Sequence, residues 1–498
     1  MREPRVPESL AGTDVVVVGG GFGGLATSCY LADAGADVTV LEKNEQIGGR
    51  ASVLEADGFR FDMGPSWYLM PDVFETFFGH FDRAVDDYYA LEQLDPHYRV
   101  FFKDGDSVEL GPDLAANKAT FEGYEPGAGA ALEEYLAKSR ENYEVGMRHF
   151  VYERRDRFRD FVDPAVLRHA RGLSLLGTMQ EHVEEYFDHP KLQQLMQYTL
   201  VFLGGSPHNT PALYNLMSHV DFNLGVHYPE GGIGSVVDGI AELGRELGVE
   251  FVTDAAVTGI EGRRGGFAVD VAGGDRYLAD RVVSDADYAY TEQELLPPEK
   301  RQYDADYWES RTYAPSAFLL YLGVEGDLSE LAHHTLVLPT DWDDHFAEIF
   351  DDPAWPDDPA YYVCAPSKTD DSVAPDGHSA LFVLVPIAAG LDDTPERRDA
   401  YRDQVLDDVA ANTGVDLRDR IVFEERFAVD DFADRYNATR GSALGLAHTL
   451  RQTAPLRPSH RSSAVDGLYF TGSYTSPGIG VPMCLISGLL TAELLAED

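Results

Sequence analysis

The sequence predicts an α/β protein in which a nucleotide-binding parallel sheet is interwoven with a second, α+β domain. Three observations carry that prediction: an apolar strand that runs into a three-glycine turn and a helix between Asp14 and Gly35, an acidic residue, Glu42, closing the next strand, and strand-like and helical segments that alternate to the end of the chain without a low-complexity tether. At 498 residues the chain exceeds one ordinary core, and its 44% hydrophobic content is enough for two.

Val15 to Val18 form the continuous apolar run of a strand buried on both faces, and Gly19, Gly21 and Gly24 then fill the three places of GxGxxG, with Phe22 inside the turn. The first glycine permits the tight turn, the second lets the backbone approach a pyrophosphate, and the third lets the helix pack closely. The helix, predicted from Leu25 to Ala34, turns its amide end toward that pyrophosphate, and Gly35 stops it. A second strand, Asp37 to Leu41, ends in Glu42, where a carboxylate accepts the ribose hydroxyls of an adenosine and disfavours a 2′-phosphate. The unit is Rossmann-like. Ile47-Gly48-Gly49-Arg50 and Phe61-Asp62-Met63-Gly64-Pro65-Ser66 follow it, a second glycine pair with an arginine that an NAD-binding unit does not need.

Tyr98 to Phe102 reads as a short strand before a turn at Asp104-Gly105, and from Gly129 to about Leu224 apolar residues recur at helical spacing. Within that region Arg148 to Arg171 holds seven arginines against four acids, a positive island in an acidic chain. Gly231 to Gly234 opens a helix over Ser235 to Leu247. A parallel strand at Val249 to Thr253 follows, and then Ala256 to Ile260 (with Val257), Phe267 to Val271 and a return strand over Tyr277 to Ser284. Strand-like runs at Ala317 to Leu322, Tyr361 to Cys364 and Ala380 to Val385, with the helix Glu396 to Ala411, suit the sheet of the second domain. The expected division is a discontinuous nucleotide-binding domain over 1–100, 225–305 and 440–498, a helical region over 101–224 and a sheet-containing domain over 306–439.

Near the end, Gly467 to Gly472 is a strand that stops at a glycine, and Gly472 to Pro482, with Ser473, Gly480 and Val481, leads into a terminal helix over Leu485 to Glu497. A helix starting just after Pro482 aims free amides and partial positive charge at whatever lies before it.

Together these segments resemble the phytoene desaturases of the bacterial and archaeal carotenoid type, members of the FAD-dependent amine oxidase superfamily. The likeness runs through nearly the whole chain. It rests on Gly19 to Gly24, Ile47 to Arg50, Phe61 to Ser66, Leu203 to Pro207, Tyr228 to Gly232, Leu331 to Thr335, Ser442-Ala443 in a late strand region, and Pro477 to Pro482. The resemblance implies a glutathione-reductase-like FAD fold with a β-hairpin insertion, and noncovalent FAD at Gly19, Gly21, Phe22, Gly24, Glu42, Arg50, Gly64, Val257, Gly472, Ser473, Gly480 and Val481. It also implies removal of hydride and proton pairs from a carotenoid hydrocarbon, phytoene toward lycopene, at one face of the cytoplasmic membrane, with quinone or oxygen as electron acceptor. Phe158-Arg159-Asp160 resembles the carboxylate and arginine segment proposed as catalytic in similar desaturases, with Arg168 as the next arginine. Alternatives on the same scaffold are a later 3,4-desaturase or a carotenoid isomerase. A flavin-free prenyl-lipid escort of the same architecture has no reason to keep Gly21, Glu42, Arg50 and the Gly480 helix start. An amine oxidase is disfavoured by the closing Pro-Gly-Ile-Gly-Val-Pro.

Composition excludes other classes. A net charge of −47, with 39 basic residues of which only seven are lysines, opposes nucleic-acid binding and points to a halophilic cytoplasm, where molar salt shortens the Debye length to ~3 Å. Three cysteines without CxxC spacing argue against a disulfide framework, and no signal peptide or transmembrane helix is expected. The island and the apolar residues around Leu173 to Met179 suit an anionic lipid surface. His333 and His334 invite a metal reading, but adjacent residues of one strand do not both face one ion and no carboxylate or cysteine stands at ligand spacing, so no metal is assigned.

Overall fold

The computed structural model describes residues 6, 9–154, 177–449, 451–453 and 456–498. Its parallel sheet has five strands: β1 (Asp14–Val18), β2 (Asp37–Leu41), β3 (Glu250–Val252), β4 (Arg281–Ser284) and β5 (Leu468–Phe470), in the spatial order β5-β4-β1-β2-β3. Val15 and Val17 join the core on one face while Val16 and Val18 join that on the other, which is why this strand shows no polar alternation.

Helix α1 (Phe22–Asp33) starts three residues before the predicted Leu25, because Gly21 takes the N-cap position and Gly23 and Gly24 form the first turn. A β-carbon on Gly24 would stand 2.2 Å from the Gly19 carbonyl oxygen, so glycine there is what allows the turn to close. On the far side α1 packs against α2 (Ile233–Glu246) and α3 (Val481–Glu497). Gly488 of α3 comes so near that an added β-carbon would lie 2.7 Å from the β-carbon of Ala26. Helix α3 also begins earlier than predicted. Gly480 is its N-cap and Pro482 falls in its first turn, where a missing N–H costs nothing.

An antiparallel three-stranded hairpin sheet, Val257–Arg263, Gly266–Val271 and Arg276–Ala279, is inserted between β3 and β4. The return strand expected over Tyr277 to Ser284 is in fact two. Asp280 separates them: its N–H donates to Asp14 O at 2.8 Å and its carboxylate accepts from Asp14 N at 3.0 Å, which turns the chain from the hairpin into the parallel sheet.

The second sheet has seven strands in the order Ile421–Phe427, Ser316–Glu325, His378–Ile387, Tyr361–Cys364, His334–Leu338, Tyr98–Phe102 and Ser107–Leu110. Tyr98–Phe102 pairs parallel with His334–Leu338, so this stretch is part of the sheet. Phe318, Leu320, Leu322 and Val324 pack beneath the helix Pro395–Thr413, while Ala317, Leu319 and Tyr321 face the core shared with the helical segment. Ser442 and Ala443 lie after the turn Thr439–Gly441 and not on a strand. The long helical run expected after Gly129 is broken among the described residues into Ala128–Gly146, Met179–Glu184, Pro190–Gln197 and shorter turns. No helix of the described residues is long and apolar enough to cross a membrane.

Candidate functional site

A cavity of about 1000 Å³ runs from the C-terminal ends of the parallel strands to the seven-stranded sheet. The C-terminal edge is where open parallel sheets bind ligands. Its polar end gathers Gly19, Gly21, Phe22, Glu42, Arg50, Gly64, Val257, Ser473, Gly480 and Val481 from segments hundreds of residues apart. Gly24 and Gly472 stand immediately behind that wall, against Asp285.

Glu42 is buried. Its Oε2 accepts from Gly20 N at 2.8 Å and its Oε1 from Asn44 N at 2.8 Å, so β2's acid is locked onto the glycine turn. Asp285, just past β4, lies against Gly21, Gly23 and Gly472: β-carbons there would come within 2.6 Å of its oxygens. Burial, with the Glu42 charge adding to it, pushes its carboxyl up to about 7, opposed by backbone hydrogen bonds from Gly24 and Gly21 and by Arg50. Arg50 makes one long hydrogen bond, Nη2 to Ser442 O at 3.4 Å, and its buried Nε has no partner among the described residues. An under-satisfied guanidinium and the start of α3 converging on one cavity beside a close-packed glycine turn offer positive charge to an anion, the chemistry of a dinucleotide diphosphate. The residues present therefore fit such a group.

Beyond this polar end the wall is apolar, with Leu213, Leu319, Leu336, Leu338, Leu384 and Phe432. The polar groups near it are turned toward one another. Ser66 Oγ and Tyr362 Oη are 2.9 Å apart, and Tyr362 Oη lies 2.6 Å from His334 Nδ1. Tyr98 and Tyr198 both donate to Asp221, whose carboxyl is pushed up to about 7 by burial. His448 is held well below its ordinary value by burial and by the Arg457 charge. Its Nδ1 meets the Tyr214 hydroxyl at 2.6 Å and its Nε2 accepts from Ile479 N at 3.0 Å. Such a wall offers a ligand shape and few hydrogen bonds.

Spacing along the chain misjudged the donors around His333 and His334. Cys364 sits opposite His334 across the sheet, and donor atoms of His333, His334 and Cys364 lie within 4.8 Å of one another. Cross-strand neighbours are invisible to sequence spacing. The three buried donors are one short of a closed tetrahedral site, and each imidazole Nδ1 is already engaged, by Thr369 Oγ1 or Tyr362 Oη. Asp160 and Arg168 lie outside the described residues, as does most of the arginine island. Sequence reasoning also missed Asp285 and Arg457. The first carried a signal, since it follows a strand at the edge where ligands bind; the second carried none.

The profile of the flavin containing amine oxidoreductase family matches residues 22–496. The chain is 69% identical over 490 residues to a carotenoid 3,4-desaturase of Haloarcula japonica, covering 98% of this chain and 99% of that one. It is 36% identical over 493 residues to a zeta-carotene-forming phytoene desaturase of Myxococcus xanthus, covering 98% and 94%. Among solved structures, putrescine oxidase bound to putrescine superposes with a TM-score of 0.63 at 17% identity over 98% of both chains. An oxidoreductase of Methanosarcina mazei gives 0.60 at 16%, covering 96% of this chain and 99% of that one, and both likenesses are of fold. A dinucleotide cradle opening into an apolar cavity and these relatives lead to one conclusion: the chain belongs to the flavin containing amine oxidoreductase family and, within it, to the FAD-dependent carotenoid desaturases.

Proposed function

We propose that this enzyme is a carotenoid 3,4-desaturase, which removes one hydrogen from each of two adjacent saturated carbons near the end of a carotenoid and extends its conjugation by one double bond. The observation that carries this reading is the 69% identity, over 98% of the chain, with the Haloarcula japonica carotenoid 3,4-desaturase; it is favoured over desaturation of phytoene, since the zeta-carotene-forming phytoene desaturase of Myxococcus xanthus stands at 36%. FAD, when bound, supplies the two-electron oxidant that takes a hydride, and a proton leaves the neighbouring carbon.

The protein's own contribution follows from the substrate's lack of handles. Arg50, the Gly19 to Gly24 turn and Glu42 would hold the dinucleotide, and Gly480 and Val481 would present the α3 amides to its ring system, where negative charge develops. The apolar wall from Leu319 to Phe432 would orient the polyene by shape and exclude water, which makes reaction geometry a matter of tunnel packing. A carotenoid dissolves in lipid, so we place the enzyme at the cytoplasmic membrane face, peripherally bound, with a membrane quinone or oxygen regenerating the oxidant. Asp160 and Arg168 remain the proposed catalytic pair.

The test is incubation of FAD-loaded enzyme in molar salt with liposomes that hold either phytoene or a carotenoid saturated at the 3,4 position, followed by pigment chromatography. Conversion of the second and not the first supports the proposal. Conversion of phytoene to lycopene overturns it in favour of the earlier step.

A further inference from the structure

Arg457 is a buried cation, 5% exposed, that no carboxylate among the described residues neutralises. Its five hydrogen bonds all go to backbone carbonyls: Nε to Tyr474 O at 3.3 Å and Thr475 O at 3.2 Å, Nη1 to Gln452 O at 3.1 Å, and Nη2 to Leu446 O at 3.2 Å and Ser473 O at 2.5 Å. Its electrostatic neighbours are Tyr214, Tyr474, Cys484 and Tyr307, none of them a carboxylate, and burial pushes the guanidinium down to about 10. Asp287 reaches this network only through Tyr474: it accepts from the Tyr474 hydroxyl, Tyr290 N and the Thr439 hydroxyl. His448, also beside Arg457, is held neutral by burial and by the repulsion of the arginine itself.

An unpaired buried charge is expensive, and carbonyl dipoles offset only part of the cost. A charge held in that condition is further stabilised by any negative charge that comes near. Arg457 lies directly behind the loop that lines the cavity before α3: a β-carbon on Gly478 would come within 3.4 Å of its Cζ, and Ser473, Ser476, Pro477 and Ile479 of that loop face the cavity. A flavin ring that accepts a hydride gains two electrons and one proton, and so one negative charge.

We propose that Arg457 is a positioning residue with an electrostatic role, bracing the Ser473 to Thr475 carbonyls from behind and supplying the fixed positive charge that favours the reduced, anionic state of the bound flavin. The inference rests on placing the flavin ring at the Gly480 end of the cavity. Bracing and charge act together but are separable, because lysine retains the charge without the planar five-donor fork and glutamine retains neither.

The experiment uses the full chain loaded with FAD in molar salt. FAD content and affinity are measured for wild type, Arg457→Lys and Arg457→Gln, and then the two-electron midpoint potential of the bound flavin by equilibration with reference dyes. Both variants are expected to bind FAD more weakly. Arg457→Gln should lower the potential by at least a tenfold change in the redox equilibrium, about 30 mV for a two-electron couple, and Arg457→Lys by less than half of that. An unchanged potential in Arg457→Gln, or an equal fall in both variants, overturns the charge role. Wild-type protein tests the same idea without a variant. Between pH 6 and 8 an anionic reduced flavin takes up one proton per two electrons, so its potential should fall by about 30 mV per pH unit; a slope of about 59 mV overturns the proposal. Wild-type protein that purifies without FAD and does not bind it when added would overturn the cofactor placement instead.

Discussion

Glu42 Oε2 accepts a 2.8 Å hydrogen bond from the backbone N–H of Gly20, so the acid that ends the second strand is tied to the turn that follows the first. The same carboxylate takes Asn44 N and Asn44 Nδ2 on its other oxygen. One side chain therefore ties together the glycine turn and the segment after β2 at the polar end of the cavity. Glu42→Ala removes charged hydrogen bonds of roughly 1.5–3 kcal/mol each, and FAD should bind about 10- to 100-fold more weakly. Titration of apoprotein with FAD, followed by flavin fluorescence, reads this directly; an unchanged Kd would refute the role.

Gly24→Ala is expected to be worse than its size suggests. The added methyl would meet the Gly19 carbonyl oxygen, a backbone atom that cannot swing aside, at 2.2 Å, with the Asp285 side chain also at 3.2 Å. Overpacking of this kind costs typically about 1–3 kcal/mol, and here it would open the turn proposed to hold the dinucleotide. The variant should lose FAD and melt at a lower temperature. Alanine at Gly79, where nothing lies within 4 Å, is the control and should do neither.

Asp285 gives the FAD site a pH dependence with a definite sign. Burial, reinforced by Glu42, lifts its carboxyl from 3.8 to about 7, so the fold favours the protonated form and loses this contribution as pH rises from about 4 to about 7. A dinucleotide diphosphate would add negative charge beside it, and binding would then take up a proton. Above about pH 7 FAD affinity should fall by up to about tenfold per pH unit. Asp285→Asn should remove that slope, and Kd measured from about pH 6 to 8.5 in wild type and variant checks it. A wild-type affinity flat across this range would show that binding takes up no proton at this carboxyl and would refute the prediction.

The net charge of −47 predicts that the protein needs salt. Exposed pairs such as Arg83 with Glu246 and Arg263 with Glu261 neutralise little of it. Repulsion among the remaining acids is screened only where the Debye length is ~3 Å, near 1 M salt, and not at 0.1 M, where it is ~10 Å. Circular dichroism during dilution from about 3 M to about 0.1 M potassium chloride should show cooperative loss of structure, reversed in part by FAD. A fully folded protein at the low-salt end would contradict this.

What could be read from neighbouring residues in the chain are the parts whose physics is local. Asp14 to Glu42 names its strand, turn, helix and acid because a tight turn needs glycine at fixed places and a strand buried on both faces needs an unbroken apolar run; the FAD requirement and the carotenoid desaturase resemblance follow from such segments. Folding settled what depends on residues distant in sequence. Asp280 splits one expected strand in two because Asp14 is its neighbour, and Tyr98–Phe102 enters the second sheet because His334–Leu338 offers it an edge. Cys364 reaches the histidines only across a strand pair. Arg457 reads as one more surface basic residue until the folded chain surrounds it with five carbonyls and, among the described residues, no acid. Turn geometry and burial pattern are written in adjacent residues, whereas electrostatic environment is a sum over whatever folding brings near, and spacing along the chain does not encode that sum.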